Sequence, residues 1–306
     1  MRIFRSFKEA KGLKNPVVTT GSFDGVHIGH KTIINRLKML AERYDGESLL
    51  ITFDPHPRKV LYPETAGRDL KLINSQEEKL ELLSKAGLDN VIIIEFTREF
   101  SRITSEEFVK EYLKAVLQAK VVVVGFNHHF GFNQEGDYKH LWRWKNKYNF
   151  EAEEIPEQEV YNETVSSTKI RKAIKEGYIQ RANAYLDHYY MVIGYPQPLT
   201  ITAPEPFRSL LYLPLTDECK LLPATGIYAV SVICDQVNTK GMAFIRQDQG
   251  KPSEIYIHIF GDNKEVTGKK TTVLFHKMIH GSFNHYDSGA SKIFEQARTE
   301  VLDLIY

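Results

Sequence analysis

Cysteine is scarce in this chain of 306 residues: there are two, Cys219 and Cys234. Two thiols exclude a disulfide framework and a four-thiolate zinc site. An excess of charge of one sign is also missing. Forty Lys and Arg against 39 Asp and Glu leave a formal net charge of +1, so composition offers no electrostatic case for binding nucleic acid. No apolar stretch approaches the ~18 residues of a membrane span. The opening MRIFRSFKEAKGLKN has no apolar core of the signal-peptide kind. Internal repeats and low-complexity tracts are absent. The expected setting is a reducing cytoplasm, with no membrane and no nucleic acid as partner. What is present is ordinary for a globular protein: 42% apolar and 26% charged residues, in a chain long enough for about two domains of roughly 150 residues.

The pattern changes near residue 187. Before it, β-rich runs (16–20, 48–53, 90–96 and 120–126) alternate with helical spacings. Those spacings are carried by Ile33, Ile34, Leu37, Leu40 and Ala41, by Leu80, Leu82, Leu83 and Ala86, and by Phe108, Tyr112, Leu113 and Val116. Near-continuous Val/Ile runs mean strands buried on both faces, and the alternation means βαβ crossovers around a parallel sheet. The expected fold class is α/β: a Rossmann-like doubly wound parallel-sheet domain over 1–186. After it, short strands at 226–233, 240–245, 254–260 and 270–275 are divided by Gly, Pro, Asp and Asn. They predict a small antiparallel β-barrel or sandwich over 187–306, closed by a helix at about 289–305.

The strongest chemical signal is GSFDGVHIGH, residues 21–30, between the first strand and the first amphipathic helix. Gly21, Gly25 and Gly29 permit close backbone approach to a ligand. His27 and His30 share one face of the helix's opening turn, beside free backbone N–H groups and the positive end of the dipole, where a phosphate fits. Taken alone, H-x-x-H also suits a zinc pair or two solvated histidines.

Three further segments carry chemistry. VVVGFNHHFG ends the fourth strand, where ligands of such sheets bind. Asn127 can donate and accept at once; His128 and His129 read as aromatic packing or loop surface. VSSTKIRKAIKEG predicts a second helix start, with Ser167 as N-cap, Ile170, Ala173 and Ile174 as its buried stripe, and Thr168 and Arg171 near the end that attracts anions. TFDPHP, residues 52–57, is a proline-stiffened turn after the second strand. The 261–272 stretch, GDNKEVTGKKTT, is rejected as a phosphate loop because six residues separate its glycines and a lysine stands where Ser or Thr belongs. The glycosylation triplet at Asn162 is set aside with secretion.

These blocks, with EKLELLSKAGLDNVIIIEFTREFSRITSEEFVKEYL (78–113), resemble in order the first half of the bacterial riboflavin kinase/FAD synthetase family. GSFDGVHIGH resembles the HxGH nucleotidyltransferases more broadly. The resemblance implies an FMN adenylyltransferase over 1–186: ATP and FMN as substrates, FAD and pyrophosphate as products. Mg²⁺ would be carried mainly by the phosphates. It implies catalytic roles for His27, His30, Asn127 and Arg171. It places Gly21, Phe23, Asp24, Gly29, Ser167 and Thr168 around ATP, the 165–171 segment gripping the β- and γ-phosphates. It puts Asp54, Pro55, His56 and Pro57 on the flavin side.

The second half resembles the family's riboflavin kinase domain in KLLPATGIYAVSV (220–232), IHIF (257–260) and 267–285. It departs from the kinase signature G-R-x-L-G-F-P-T-A-N, whose last four positions fall on Ser209, Leu210, Leu211 and Tyr212. The catalytic Glu expected two residues before His258 falls on Tyr256. Glu254 lies two residues further back, on the same side of the strand. The expectation is a retained barrel without kinase activity. Three other readings stay open: a bifunctional enzyme with an irregular kinase site, a silent flavin- or nucleotide-binding regulator, and an HxGH enzyme with another phosphorylated acceptor. The oligomeric state is not legible.

Overall fold

The structure is a computed structural model that describes all residues except 158, 161, 162, 200–205, 248–251, 262, 282–288, 305 and 306. Of the segments singled out above, Asn162, 202–205 and 282–285 lie outside the described residues, as do position 262 and the end of the closing helix at 305. The chain packs as two compact units, one of residues 1–70 and 79–165, the other of 71–78 and 166–306. By packing, 166–186 therefore joins the second unit, whereas the sequence pattern changes only near 187.

In the first unit, β1 (Arg2–Phe4), β2 (Val17–Thr20), β3 (Ser48–Asp54), β4 (Asn90–Glu95), β5 (Val121–Gly125) and β6 (Glu151–Ile155) form one sheet in the order β1-β4-β3-β2-β5-β6. Every pairing in it is parallel, with Val17 opposite Ser48 and Val121, and Leu49 opposite Asn90. The four strands expected from the Val/Ile runs are its centre, and their residues are buried at both parities. Sequence reading missed the two edges. β1 is three residues long, and β6 reads EAEEI, with charges that an edge strand tolerates. The chain builds outward from β2 to β3 and β4, then crosses back to β5, so the switch point lies between β2 and β5.

Helix α1 (Ile28–Arg43) lies against β2, β3 and β5 and buries Ile33, Ile34, Leu37, Leu40 and Ala41, the stripe read from spacing. α2 (Pro57–Leu61) is one short turn, and α3 (Gln76–Lys85) precedes β4. The 108–116 spacing is a helix of unusual kind: a single α turn, α4 (Ser105–Glu107), runs into a π-helix over Phe108–Val116. Phe108, Val109 and Leu113 pack there with Val18, Leu49, Ile92, Val122 and, from α5 (Tyr138–Tyr148), Leu141. A two-residue ladder of β7 (Glu159–Val160) and β8 (Glu163–Thr164) completes the unit.

In the second unit, α6 (Ser167–Lys175) and α7 (Ile179–Leu186) precede a seven-stranded antiparallel sheet of the barrel type. Its strands are β9 (Tyr190–Gly194), β10 (Gln197–Pro198), β11 (Leu211–Tyr212), β12 (Gly226–Cys234), β13 (Val237–Arg246), β14 (Glu254–Ile259) and β15 (Thr271–Gly281), in the order β10-β11-β14-β13-β12-β15-β9. Four of the seven were legible as alternating runs. Helix α8 (Ala290–Asp303) closes the core, where Phe294, Ala297 and Val301 meet Ile227, Ala229, Met242 and Phe244. A buried ion pair sits in the same unit. Lys220 Nζ donates to Glu78 Oε2 at 2.6 Å, to the carbonyl of Ile73 at 2.6 Å and to that of Met191 at 2.7 Å.

Candidate active site

The turn leaving β2 is held in an unusual backbone shape. Phe23 has φ +49°, Gly25 +93° and Val26 +41°. A β-branched residue at positive φ is a genuine outlier, and such strain collects at functional sites. The turn then enters α1 with His27 as N-cap, whose own side chain makes no capping bond, and no acidic side chain stands in the helix's first turn. The first amides of a helix have no intrahelical acceptor, so this end of a sixteen-residue helix is left open to an anion.

The two histidines are in ring contact. His27 and His30 stack at 3.7 Å between centroids, and Phe23 stacks on His30 at 4.4 Å, both at 20°. His30 therefore lies between an aromatic ring and a second imidazole. Burial, with the neighbouring His27 and Lys79, holds its pKa well below the ordinary imidazole value. Its Nδ1 is buried without a hydrogen-bond partner among the described residues. A neutral imidazole carries one N–H, which can donate to a phosphate oxygen.

On the other side of the switch point, Gly125 ends β5 and the Phe126 amide donates to Ile155 O at 2.8 Å. Asn127 is exposed at φ +56°. His128 follows, its pKa pushed down to about 4 by burial and by His129, its Nε2 buried without a partner among the described residues. Between these walls lies a cleft of about 300 Å³ lined by Gly21, Phe23, His27, Gly29, His30, Asn127 and His128, among others. It stands at the carboxyl ends of β2 and β5, where doubly wound sheets bind ligands.

The other expected residues sit elsewhere. Asp24 is buried beneath the turn. Asp54 ends β3, the Asp54–Pro55 bond is cis, His56 caps α2 by accepting from the Arg58 amide at 3.2 Å, and Pro57 is that helix's first residue. Ser167, Thr168 and Arg171 lie on α6 in the second unit, where Arg171 Nε donates to Lys71 O at 3.1 Å. The N-cap of α6 is Ser166, accepting from the Lys169 amide, rather than Ser167, because Ser166 keeps extended backbone angles while Ser167 is already helical.

His128, read from the sequence as aromatic packing or loop surface, stacks on Phe130 at 6.1 Å and also lines the cleft. Sequence reading missed Lys79 altogether. Lys79 is buried in the first unit with Nζ 3.2 Å from Thr52 Oγ1 and 3.4 Å from Ser22 O. Burial lowers its pKa to about 8, against the pull of Asp24 and Asp54. In the sequence EEKLELL it looks like any solvated helix lysine.

In the barrel unit, Glu254, Tyr256 and His258 share the less buried face of β14. The Tyr256 hydroxyl donates to Glu254 Oε2 at 2.6 Å, and burial and that carboxylate raise its pKa. Tyr212 is opposite Tyr256 across the β11–β14 pair, and Leu210 and Leu211 are buried. A cavity of about 930 Å³ is lined by Tyr212, Lys220, Leu221, Glu254 and Ile255 with neighbouring residues.

A Rossmann-like sheet with an anion-ready helix start at its switch point, followed by an antiparallel barrel, defines an α/β nucleotidyltransferase-like protein with an appended β domain. The FAD synthetase family model matches residues 9–169 and the riboflavin kinase model residues 213–298. A bifunctional riboflavin kinase/FMN adenylyltransferase of Listeria monocytogenes is 31% identical over 86% of this chain and 83% of its own. A protein of the same organism named FAD synthetase is 32% identical over 71% of this chain and 82% of its own. The chain belongs to the riboflavin kinase/FAD synthetase family and is a transferase. A solved structure described as a macrolide-efflux protein from Streptococcus pneumoniae matches with a TM-score of 0.84 over 99% of both chains at 23% identity. At that identity it speaks for the fold alone.

Proposed function

We propose that this protein transfers AMP from ATP to FMN, giving FAD and pyrophosphate. An FMN phosphate oxygen attacks the α-phosphorus of ATP in line, forming the new P–O bond as the bond to the leaving pyrophosphate breaks. No covalent enzyme intermediate is needed, so the protein's work is positioning and charge stabilisation. His27, His30 and the first amides of α1 meet the charge that develops on the α-phosphate and the leaving group. Asn127 orients the nucleotide from the β5 side. Mg²⁺ would travel mainly on the phosphates, as it does where few protein ligands hold it. The observation that carries this reading is the stacked His27–His30 pair at the open start of α1, beside the sheet's switch point.

A second reading, in which the chain also phosphorylates riboflavin, is favoured by the riboflavin kinase match over 213–298 and by relatives named as bifunctional along most of the chain. Against it stands Tyr256 where the family resemblance expects the carboxylate base. Product analysis with ATP and either riboflavin or FMN separates the two. FAD from FMN but nothing from riboflavin is the result expected of a barrel without kinase chemistry. FMN or FAD from riboflavin establishes the bifunctional enzyme. Bound flavin without product in either case contradicts both and leaves a regulator.

A further inference from the structure

A lysine buried as deeply as Lys79 is costly unless something there needs it. A solvated lysine or a packed leucine would serve α3 as well. Its ammonium lies where three segments converge. It donates to Ser22 O and to Thr52 Oγ1, and the Thr52 hydroxyl itself donates to Ser22 O at 3.3 Å. Ser22 belongs to the strained turn that ends in His27. Thr52 lies two residues before Asp54 and the loop that follows it. The charged and titratable groups facing Lys79 are Asp24 from the turn, Asp54 from the end of β3, and His30 from α1, with His27 stacked on His30.

Resting on the adenylyltransferase reading above, we propose that Lys79 is a positioning residue of that site: its ammonium ties the turn 21–27, through Ser22 O, to the end of β3, through Thr52 Oγ1. The ammonium also adds its positive charge to the burial and the neighbouring His27 that already hold down the pKa of His30. Burial brings the lysine's own proton loss down to about pH 8. The tie therefore weakens just above neutrality, and with it the alignment of the two loops.

Three readouts test this. In the substrate-free protein, the ¹³Cε signal of Lys79 is expected to titrate near pH 8; titration at the ordinary ~10.4 of an exposed lysine would overturn the assignment. The ¹³Cε1 titration of His30 is expected to move upward in Lys79→Met, and an unmoved His30 would also overturn it. In assays of FAD formation, kcat/KM should fall on an alkaline limb near pH 8, which reports the free enzyme. That limb should shift to much higher pH in Lys79→Arg, whose guanidinium stays charged. A limb at the same pH in the Arg variant contradicts the proposal. Should Lys79→Met fail to fold, the wild-type lysine titration and the Arg variant decide. If the protein makes no FAD, the functional reading fails, and the two titrations still judge the role of Lys79.

Discussion

A histidine held between a phenyl ring and another imidazole cannot behave as a solvated side chain. The pKa of His30 is held well below the ordinary imidazole value, so under the proposed function it would meet a phosphate with a directed hydrogen bond, and phosphate charge arriving beside it would favour its protonation. Replacing His27 or His30 by Ala is expected to lower turnover by roughly 10²–10³-fold, as for loss of one charge-stabilising donor. Near-normal steady-state rates in both variants would remove them from the chemistry. The two histidines were legible because strand, turn and helix start follow one another within fifteen residues. Lys79 was not, because its burial depends on Thr52 and Ser22, which lie 27 and 57 residues away in the sequence. The place of His128 in the cleft wall was hidden for the same reason: its surroundings are set by residues distant in the sequence.

At the scale of elements, continuous Val/Ile runs disclosed the central strands, and 3.6-residue spacing disclosed α1, α6 and α8. Most of what failed to show lacks a periodic apolar face: β1, β6, β10 and β11 are short or charged, and the i to i+5 bonding of the 108–116 helix leaves no mark in side-chain spacing; β9, YMVIG, is buried throughout but falls where the two sequence patterns meet. The start of α6 was misplaced by one residue because Ser166 and Ser167 are both good caps, and only the backbone angles distinguish them. Ser166→Ala is expected to cost about 1 kcal/mol, read as a lowered midpoint in urea, while Ser167→Ala changes it little. Equal effects of the two would contradict the observed cap. Gly25→Ala is expected to slow FAD formation and lower stability by about 1 kcal/mol or more, because φ +93° strains any side chain there. Unchanged rate and midpoint would show that the turn relaxes freely.

Across the whole molecule the units carry separate stability devices. In the second, Lys220→Met leaves Glu78 buried without its cation and should cost ~3–5 kcal/mol. Changing Lys220 and Glu78 together to Met and Leu removes the stranded charge and should restore part of this, the amides of Ser75 and Ile193 then losing their acceptor, and equal losses in the single and double variants would contradict a charge effect. Acid should act on the same unit. Burial holds His258 and His276 at pKa values of about 4, below the ordinary ~6.5 of the unfolded chain. Their neutral packing thus contributes stability that is present above about pH 6.5 and is lost as pH falls through about 4, because the unfolded state binds the extra protons. Urea midpoints at pH 7.5, 5.5 and 4.5 should fall in that order, and less steeply in His276→Gln. A flat series would sink the assignment.

The central claim is that the α-phosphoryl group of ATP passes to FMN at the start of α1. ATP labelled with ³²P at the α position, and separately at the γ position, tests it when each is incubated with FMN and the full chain. The account predicts α label in FAD and γ label in pyrophosphate, with both lost in a His27→Ala/His30→Ala double variant that remains folded by circular dichroism. Flavin free of α label, or FAD labelled as well by the double variant as by the wild type, would contradict it.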